Sequence, residues 1–250
     1  MPSIAPRAVA APRDDAEAAL RRVGLVGQRI SAPFPLWLVA VPDRVDAGLL
    51  ALLTEAELAR AGRFADALLQ RRYLAAHGAL RVLGECYFGV EAARQDYRPN
   101  GFGKPYLSGP DGAQCSISYS GGWILVAWSR ESEIGVDLEI VRPIEDAGDL
   151  VALHCTQAEQ RELGQRELAQ GEEGGAVRPL SDLAFLGLWT RKEACMKAMG
   201  KGFAIPPSSF DCGAGPVISE VHIDGHCVEC GNYDLKGDLA VAWARLRRVA

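Results

Sequence analysis

Between Cys115 and Val141 the chain reads CSISYSGGWILVAWSRESEIGVDLEIV. Two runs rich in β-branched and aromatic residues flank Gly121-Gly122, and a third run with strict alternation follows. A two-glycine turn between such runs predicts a β-hairpin, with a further strand after it. In the third strand, Ile134, Val136, Leu138 and Ile140 point one way, into a core. Gly135, Asp137 and Glu139 point the other way, and the glycine is expected to leave that face open. Two carboxylates on one strand face repel each other unless something neutralises them. Water does so at an exposed edge, and a cation does it better in a cleft.

A second stretch, WTRKEACMKAMGKGF (Trp189–Phe203), follows the apolar AFLGLW and predicts a buried helix. Ser181 is placed as its N-cap and the glycines after Met199 as its end. Trp189, Glu193 and Lys197 are spaced i, i+4, i+8 and share a helix face. A solvated Glu–Lys pair is the plain reading, but the apolar surroundings and the cations Arg191 and Lys192 beside Glu193 argue for more. Together, Asp137, Glu139 and Glu193 suit a hard ion such as Mg²⁺, completed by water and a substrate phosphate. Phosphate also needs donors and cations. NGFGKP offers a glycine loop with Lys104, and SISYS offers Ser116, Ser118, Tyr119 and Ser120 at a strand end.

The rest of the chain frames these pieces. Residues 1–30 are expected to be a loosely ordered extension with one short helix near Asp15–Arg22. Ser31–Pro42 reads as a strand. Thr54 and Glu57 form a capping box that starts a helix. A longer helix follows through Leu68, Tyr73, Leu80 and Leu83, with Arg71, Arg72 and Arg81 on its other face. After the hairpin and third strand come an irregular segment to Leu150, a helix around Thr156–Leu168, and C-terminal strands including DLAVAWARL. Strands and helices recur in both parts, so the fold class is α+β with two similar halves, residues 31–132 and 133–250.

Among 250 residues, 48% are hydrophobic and the formal net charge is −5. That balance excludes a non-specific nucleic-acid or membrane-surface binder. There is no spanning segment and no export signal, so a cytoplasmic location is expected. The seven cysteines are then expected to be free thiols. His222, His226, Cys227 and Cys230 could in principle surround zinc, but there is no second CxxC and the segment alternates like an edge hairpin.

The order GKPYL, SISYS, GVDLE, WTRKEACMKAMGKGF resembles the Sfp-type 4'-phosphopantetheinyl transferases. Those enzymes carry a GKP loop, an N-x-S-H-S strand, a G-[VI]-D-x-E strand and a W-x-x-K-E-A-x-x-K-x-x-G-x-G helix. The likeness spans about residues 50 to 203. It implies a pseudo-twofold fold with coenzyme A bound in the cleft between the halves. It also implies transfer of the phosphopantetheine arm to a serine of an apo acyl or peptidyl carrier protein, with release of adenosine 3',5'-bisphosphate. By matching position, Asp137, Glu139 and Glu193 would hold Mg²⁺, and Lys197 would meet the coenzyme phosphates. Arg60, Lys104, Ser118 and Tyr119 would contact the same ligand, and Glu159, where some members have a glutamate, or a metal-linked water would be the general base. Family members of this type are single chains, so a monomer is expected.

The chain departs from the family where Ser116 and Tyr119 replace Asn and His. Tyrosine gives a neutral hydrogen bond where a histidine can be cationic, which would weaken coenzyme binding by ~1–2 kcal/mol. His154 and Cys155 stand where aromatic residues are frequent. Two alternatives to transfer follow: a binding module that holds coenzyme A or a carrier without reaction, and a Mg²⁺-dependent diphosphate hydrolase.

Overall fold

The computed structural model describes residues 15–109, 112–171, 182–213, 215, 218–233 and 238–247. The chain divides into two compact units, residues 1–132 and 133–250. The first unit opens with α1 (Ala16–Arg22), which Asp15 caps by accepting from the N–H groups of Glu17 and Ala18. Next come β1 (Val26–Ile30), β2 (Leu36–Ala40), α2 (Ala47–Leu50), α3 (Glu55–Ala61) and α4 (Ala67–Phe88). The unit ends with β3 (Tyr97–Pro99), β4 (Pro105–Leu107), β5 (Ala113–Ser120) and β6 (Trp123–Ser129).

Six strands form one sheet in the order β1-β2-β6-β5-β4-β3, all neighbours antiparallel. The β5–β6 hairpin pairs Ser120 with Trp123. It turns through Gly121 at φ +55°, a backbone region that L side chains rarely adopt. Asp66 caps α4 through the Leu69 N–H, and Gly89 ends it in the left-handed conformation. Leu80, Leu83, Val126 and Trp128 from α4 and the sheet share one core with Leu20 and Leu25.

Two expectations need correction here. The short helix expected near Asp15–Arg22 is α1, but residues 15–30 are not a loose extension: β1 is a regular strand, and Leu20 and Leu25 are fully buried. The remaining part of that segment, residues 1–14, lies outside the described residues. Arg81 does not lie on an exposed face of α4 either. It is 2% exposed and donates to Glu57 Oε2 at 2.9 Å and to the carbonyls of Ala92 and Gln95 at 3.1 and 2.8 Å.

The second unit comprises β7 (Ile134–Ile140), α5 (Ala147–His154), α6 (Gln157–Gly171), α7 (Asp182–Met199), β8 (Ser219–Ile223), β9 (His226–Tyr233) and β10 (Leu239–Leu246). The segment expected to be irregular therefore turns helical at Ala147. The placement of Ser181 as N-cap lies outside the described residues. At the other end, Gly200 at φ +68° closes α7.

The four strands run β7-β10-β9-β8, again antiparallel throughout. In register, Gly135, Asp137 and Glu139 lie opposite Ala244, Ala242 and Ala240. One face of this strand pair is thus lined by small side chains, and α7 packs down onto it. A Cβ on Gly135 would stand 1.9 Å from the carbonyl oxygen of Ala194 and 2.5 Å from the amide nitrogen of Ala198. Gly135 therefore does not keep the face open as expected. It lets the α7 backbone close over the strand.

Candidate active site

The site residues of the second unit grow out of that close packing. Alternation along β7 puts Asp137 on the face that Gly135 gives to α7. Lys197 reaches back from the last turn of α7 and donates to Asp137 Oδ1 at 2.6 Å and to the Val136 carbonyl at 3.2 Å. Asp137 is 5% exposed. Glu139, two residues along the same face, is half-buried and pairs with Arg142 at 3.4 Å. Glu193 stands one helical turn before Lys197. Burial pushes its carboxyl up to about 7, the charges of Asp137 and Glu139 add to this, and Lys197 opposes it. The three carboxylates predicted from sequence thus share one electrostatic neighbourhood, with Lys197 at its centre.

They do not close into a tight cage. Among the described residues, the one group of three ligand side chains whose donor atoms all lie within 4.8 Å of one another is made of cysteines. Lys197 already occupies one side of Asp137, and like charges hold the carboxylates apart. The donor set nevertheless fits a hard divalent cation, which takes few carboxylates and completes its shell with water and phosphate oxygens.

Glu159 has a different job from the one expected of it. Its Oε2 accepts from the Thr156 N–H at 2.8 Å, while the Glu159 N–H donates to the Thr156 hydroxyl at 3.2 Å. This is the reciprocal capping box at the start of α6. The same Oε2 pairs with Lys192 Nζ at 2.8 Å, and Oε1 accepts from the Cys212 N–H at 2.8 Å. Both ion-pair partners are 0% exposed. A general base must reach the proton it removes, and a carboxylate with both oxygens engaged and no solvent contact cannot do so. Lys192 and Arg191 are also not cations beside Glu193. Lys192 donates to the carbonyls of Pro207 and Phe210, both at 2.8 Å. Arg191 points toward β8 and β9, to Ser219 at 2.7 Å and Asn232 at 3.3 Å.

The four predicted ligand contacts in the first unit are distributed over three elements. Arg60, in the last turn of α3, lies over the Tyr73 ring at 5.6 Å. With Ala56, Ala59, Arg63 and Phe64 it lines an open pocket. Lys104 follows Gly103, at φ +89°, in a turn that Asn100 closes by accepting from the N–H groups of Phe102 and Lys104. Ser118 is buried on β5, and its neighbour Tyr119 is 38% exposed. The loop and strand-end features read from sequence therefore exist as a turn and a strand end. The zinc set His222, His226, Cys227 and Cys230 is not assembled: His222 pairs with Cys227 across the β8–β9 hairpin with both histidines exposed, while Cys230 is buried.

The sequence reading missed how α7 is held. The signal was present in DLAVAWARL, whose alternate residues Ala240, Ala242 and Ala244 are all small. Alternating small residues opposite a glycine mark a face where another backbone approaches closely.

A buried aspartate paired with a lysine thus stands beside a helix glutamate whose carboxyl is raised to about 7 by burial first and by neighbouring carboxylates second. Comparison with known proteins gives the chain its family. Residues 133–230 match the family described as the 4'-phosphopantetheinyl transferase superfamily. The chain is 32% identical over 174 residues to "4'-phosphopantetheinyl transferase HetI" of Nostoc sp., covering 68% of this chain and 69% of that protein. It is 31% identical over 173 residues to "Putative 4'-phosphopantetheinyl transferase slr0495" of Synechocystis sp., covering 68% and 65%. It is 29% identical over 112 residues to "4'-phosphopantetheinyl transferase Sfp" of Bacillus subtilis, covering 44% and 43%. The chain belongs to the 4'-phosphopantetheinyl transferase superfamily, a family of enzymes. Among the described residues, no helix is long and apolar enough to cross a membrane.

Proposed function

We propose that the protein transfers the 4'-phosphopantetheine arm of coenzyme A to a serine of an apo acyl or peptidyl carrier protein, with Mg²⁺ as cofactor and as a single chain. The observation that carries this reading is the Asp137–Lys197 contact of 2.6 Å beside Glu193. It joins the two motifs of the family resemblance in one place. Asp137, Glu139 and Glu193 would hold the cation, which supplies a Lewis acid for the phosphate oxygens. Arg60, Lys104, Ser118 and Tyr119 would bind coenzyme A.

In this reaction the serine oxygen forms a bond to the β-phosphorus, and the bond from that phosphorus to the oxygen bridging the two phosphates breaks. Adenosine 3',5'-bisphosphate leaves with the electron pair. Negative charge grows on the departing oxygen, and the ammonium of Lys197 stabilises it. The same lysine holds the Asp137 carboxylate in place through its 2.6 Å contact. The serine proton needs an acceptor, and the burial of Glu159 with both oxygens engaged speaks against that residue. Glu139 and Glu193 are the carboxylates of this neighbourhood that remain half-buried.

The second reading, binding without transfer, is favoured by Tyr119, exposed where the family pattern has histidine. One experiment separates the readings. The protein is mixed with Mg²⁺, coenzyme A and a panel of apo carriers, and each carrier is weighed intact. A mass gain of one phosphopantetheine arm is expected. Bisphosphate release without carrier modification would instead indicate hydrolysis, and coenzyme binding without any product would indicate a binding module.

A further inference from the structure

The face of α7 turned toward β9 carries a second constellation, separate from the carboxylates. Cys195 on α7, Cys212 on the segment between α7 and β8, and Cys230 on β9 place their Sγ atoms within 4.8 Å of one another. Cys195 and Cys212 are 3.8 Å apart. The three side chains are 0%, 1% and 0% exposed. Each comes from a different element, so tertiary packing builds the cluster. One helical turn before Cys195, Arg191 donates through Nη2 to Cys230 Sγ at 3.6 Å.

We propose that Cys195, Cys212 and Cys230 bind one thiophilic d¹⁰ divalent cation, of the zinc and cadmium type, in a buried three-thiolate site. Spacing is the first argument. Zinc–sulfur bonds are about 2.3 Å, so sulfurs at tetrahedral angles stand about 3.8 Å apart. The observed separation thus needs little rearrangement. A disulfide would need about 2.05 Å, would use two of the three sulfurs and would leave the third unexplained. Charge is the second argument. Three thiolates and a divalent cation sum to one negative charge, which the Arg191 guanidinium cancels. A buried group needs that neutrality, and a monovalent ion would leave negative charge over. Soft sulfur ligands also select against Mg²⁺, so the two sites would not compete for one metal. On binding, each protonated sulfur exchanges its S–H bond for a metal–sulfur bond and releases the proton to solvent. No electron is transferred. The ion would tie α7, the segment after it and β9 together.

The test uses the reduced, metal-free full-length chain and Cd²⁺, added both to the folded protein and during refolding from denaturant. The expected result is one equivalent bound, with a thiolate-to-cadmium charge-transfer band and an unfolding midpoint that rises with Cd²⁺. Cys212→Ser should abolish the band, and Cys227→Ser should keep it. No band in either loading regime would overturn the proposal. So would a band lost in Cys227→Ser and kept in Cys212→Ser, since that places the metal on the β8–β9 hairpin. If Cys212→Ser fails to fold, X-ray absorption of the cadmium-loaded wild type decides. Three sulfur neighbours support the site, and a shell dominated by nitrogen or oxygen contradicts it.

Discussion

In the first unit Thr54 caps α3, Glu57 closes the capping box, and Glu57 takes Arg81 of α4 at 2.9 Å. In the second unit Thr156 and Glu159 do the same before α6, and Glu159 takes Lys192 of α7 at 2.8 Å. Each cation then ties down two carbonyls after its helix: Ala92 and Gln95 in one case, Pro207 and Phe210 in the other. The same device fixes a long helix in both units. The surroundings differ. Glu57 is 12% exposed and its second oxygen meets His77 at 3.0 Å, whereas Glu159 is sealed and its second oxygen meets a backbone N–H. The residues one and five places after the cation differ more. They are Val82 and Cys86 in the first unit, both buried in its core, and Glu193 and Lys197 in the second. The buried pair carries architecture, and on one helix the two equivalent positions are the ones proposed to carry the chemistry.

The largest predicted effect strips the cation from the sealed pair. Lys192→Met leaves a fully buried carboxylate uncompensated and should cost roughly 3–5 kcal/mol. Arg81→Met should cost less, because Glu57 keeps His77 and some solvent. Chemical denaturation of both variants checks the ranking, and equal losses would break the comparison. Gly135→Ala comes next. Its Cβ collides with helix backbone rather than with a flexible side chain, so overpacking of about 3 kcal/mol is expected, read by the same denaturation curves.

Two pH effects sharpen the contrast further. Glu193 is raised from 4.5 to about 7, so its protonated form is the one favoured in the metal-free fold. The stability it contributes is full below about pH 4.5 and is lost as pH rises through about 7. Asp137, Glu139 and Lys197 are the charges that face it. On the proposed reading Mg²⁺ displaces that proton, so its affinity should fall about tenfold per pH unit below 7, as calorimetry in buffers of different ionisation enthalpy would show. Glu57 runs the opposite way. Burial raises it, but hydrogen bonds from His77 and Thr54 and the charge of Arg81 outweigh this and lower it from 4.5 to about 2. Its contribution is present above about pH 4.5 and lost as pH falls through 2. Acid unfolding of Glu57→Gln should therefore be less steep than that of wild type.

Much of this was legible in the sequence. The hairpin around Gly121-Gly122 and the Thr54–Glu57 box follow from period and spacing, whereas the contact of Lys197 with Asp137 joins residues 60 apart in the chain and has no such signature. The errors share one physical origin. Spacing reports which residues share a face but not what covers that face. Arg81, Lys192 and Glu159 look like available charges in the sequence because charge usually faces water, and burial by pairing leaves no mark on a helical period. Glu159 was assigned a chemical role by resemblance, although Thr156-Gln157-Ala158-Glu159 has the same form as the box recognised at Thr54. Nothing near Gly135 in sequence shows that its face is closed, because Ala244, which pairs with it, lies about a hundred residues further along the chain. The cysteine cluster is tertiary in the same way, joining residues 195, 212 and 230.

The account rests on Asp137 and Glu193 acting in the reaction and not in the core. Intact mass of an apo carrier that the wild-type protein modifies, after incubation with Mg²⁺, coenzyme A and each variant, tests this most directly. Wild type should add one phosphopantetheine arm, while Asp137→Asn and Glu193→Gln, unfolding near the wild-type midpoint, should leave the carrier at its apo mass. Full modification by either variant at the wild-type rate would contradict the account.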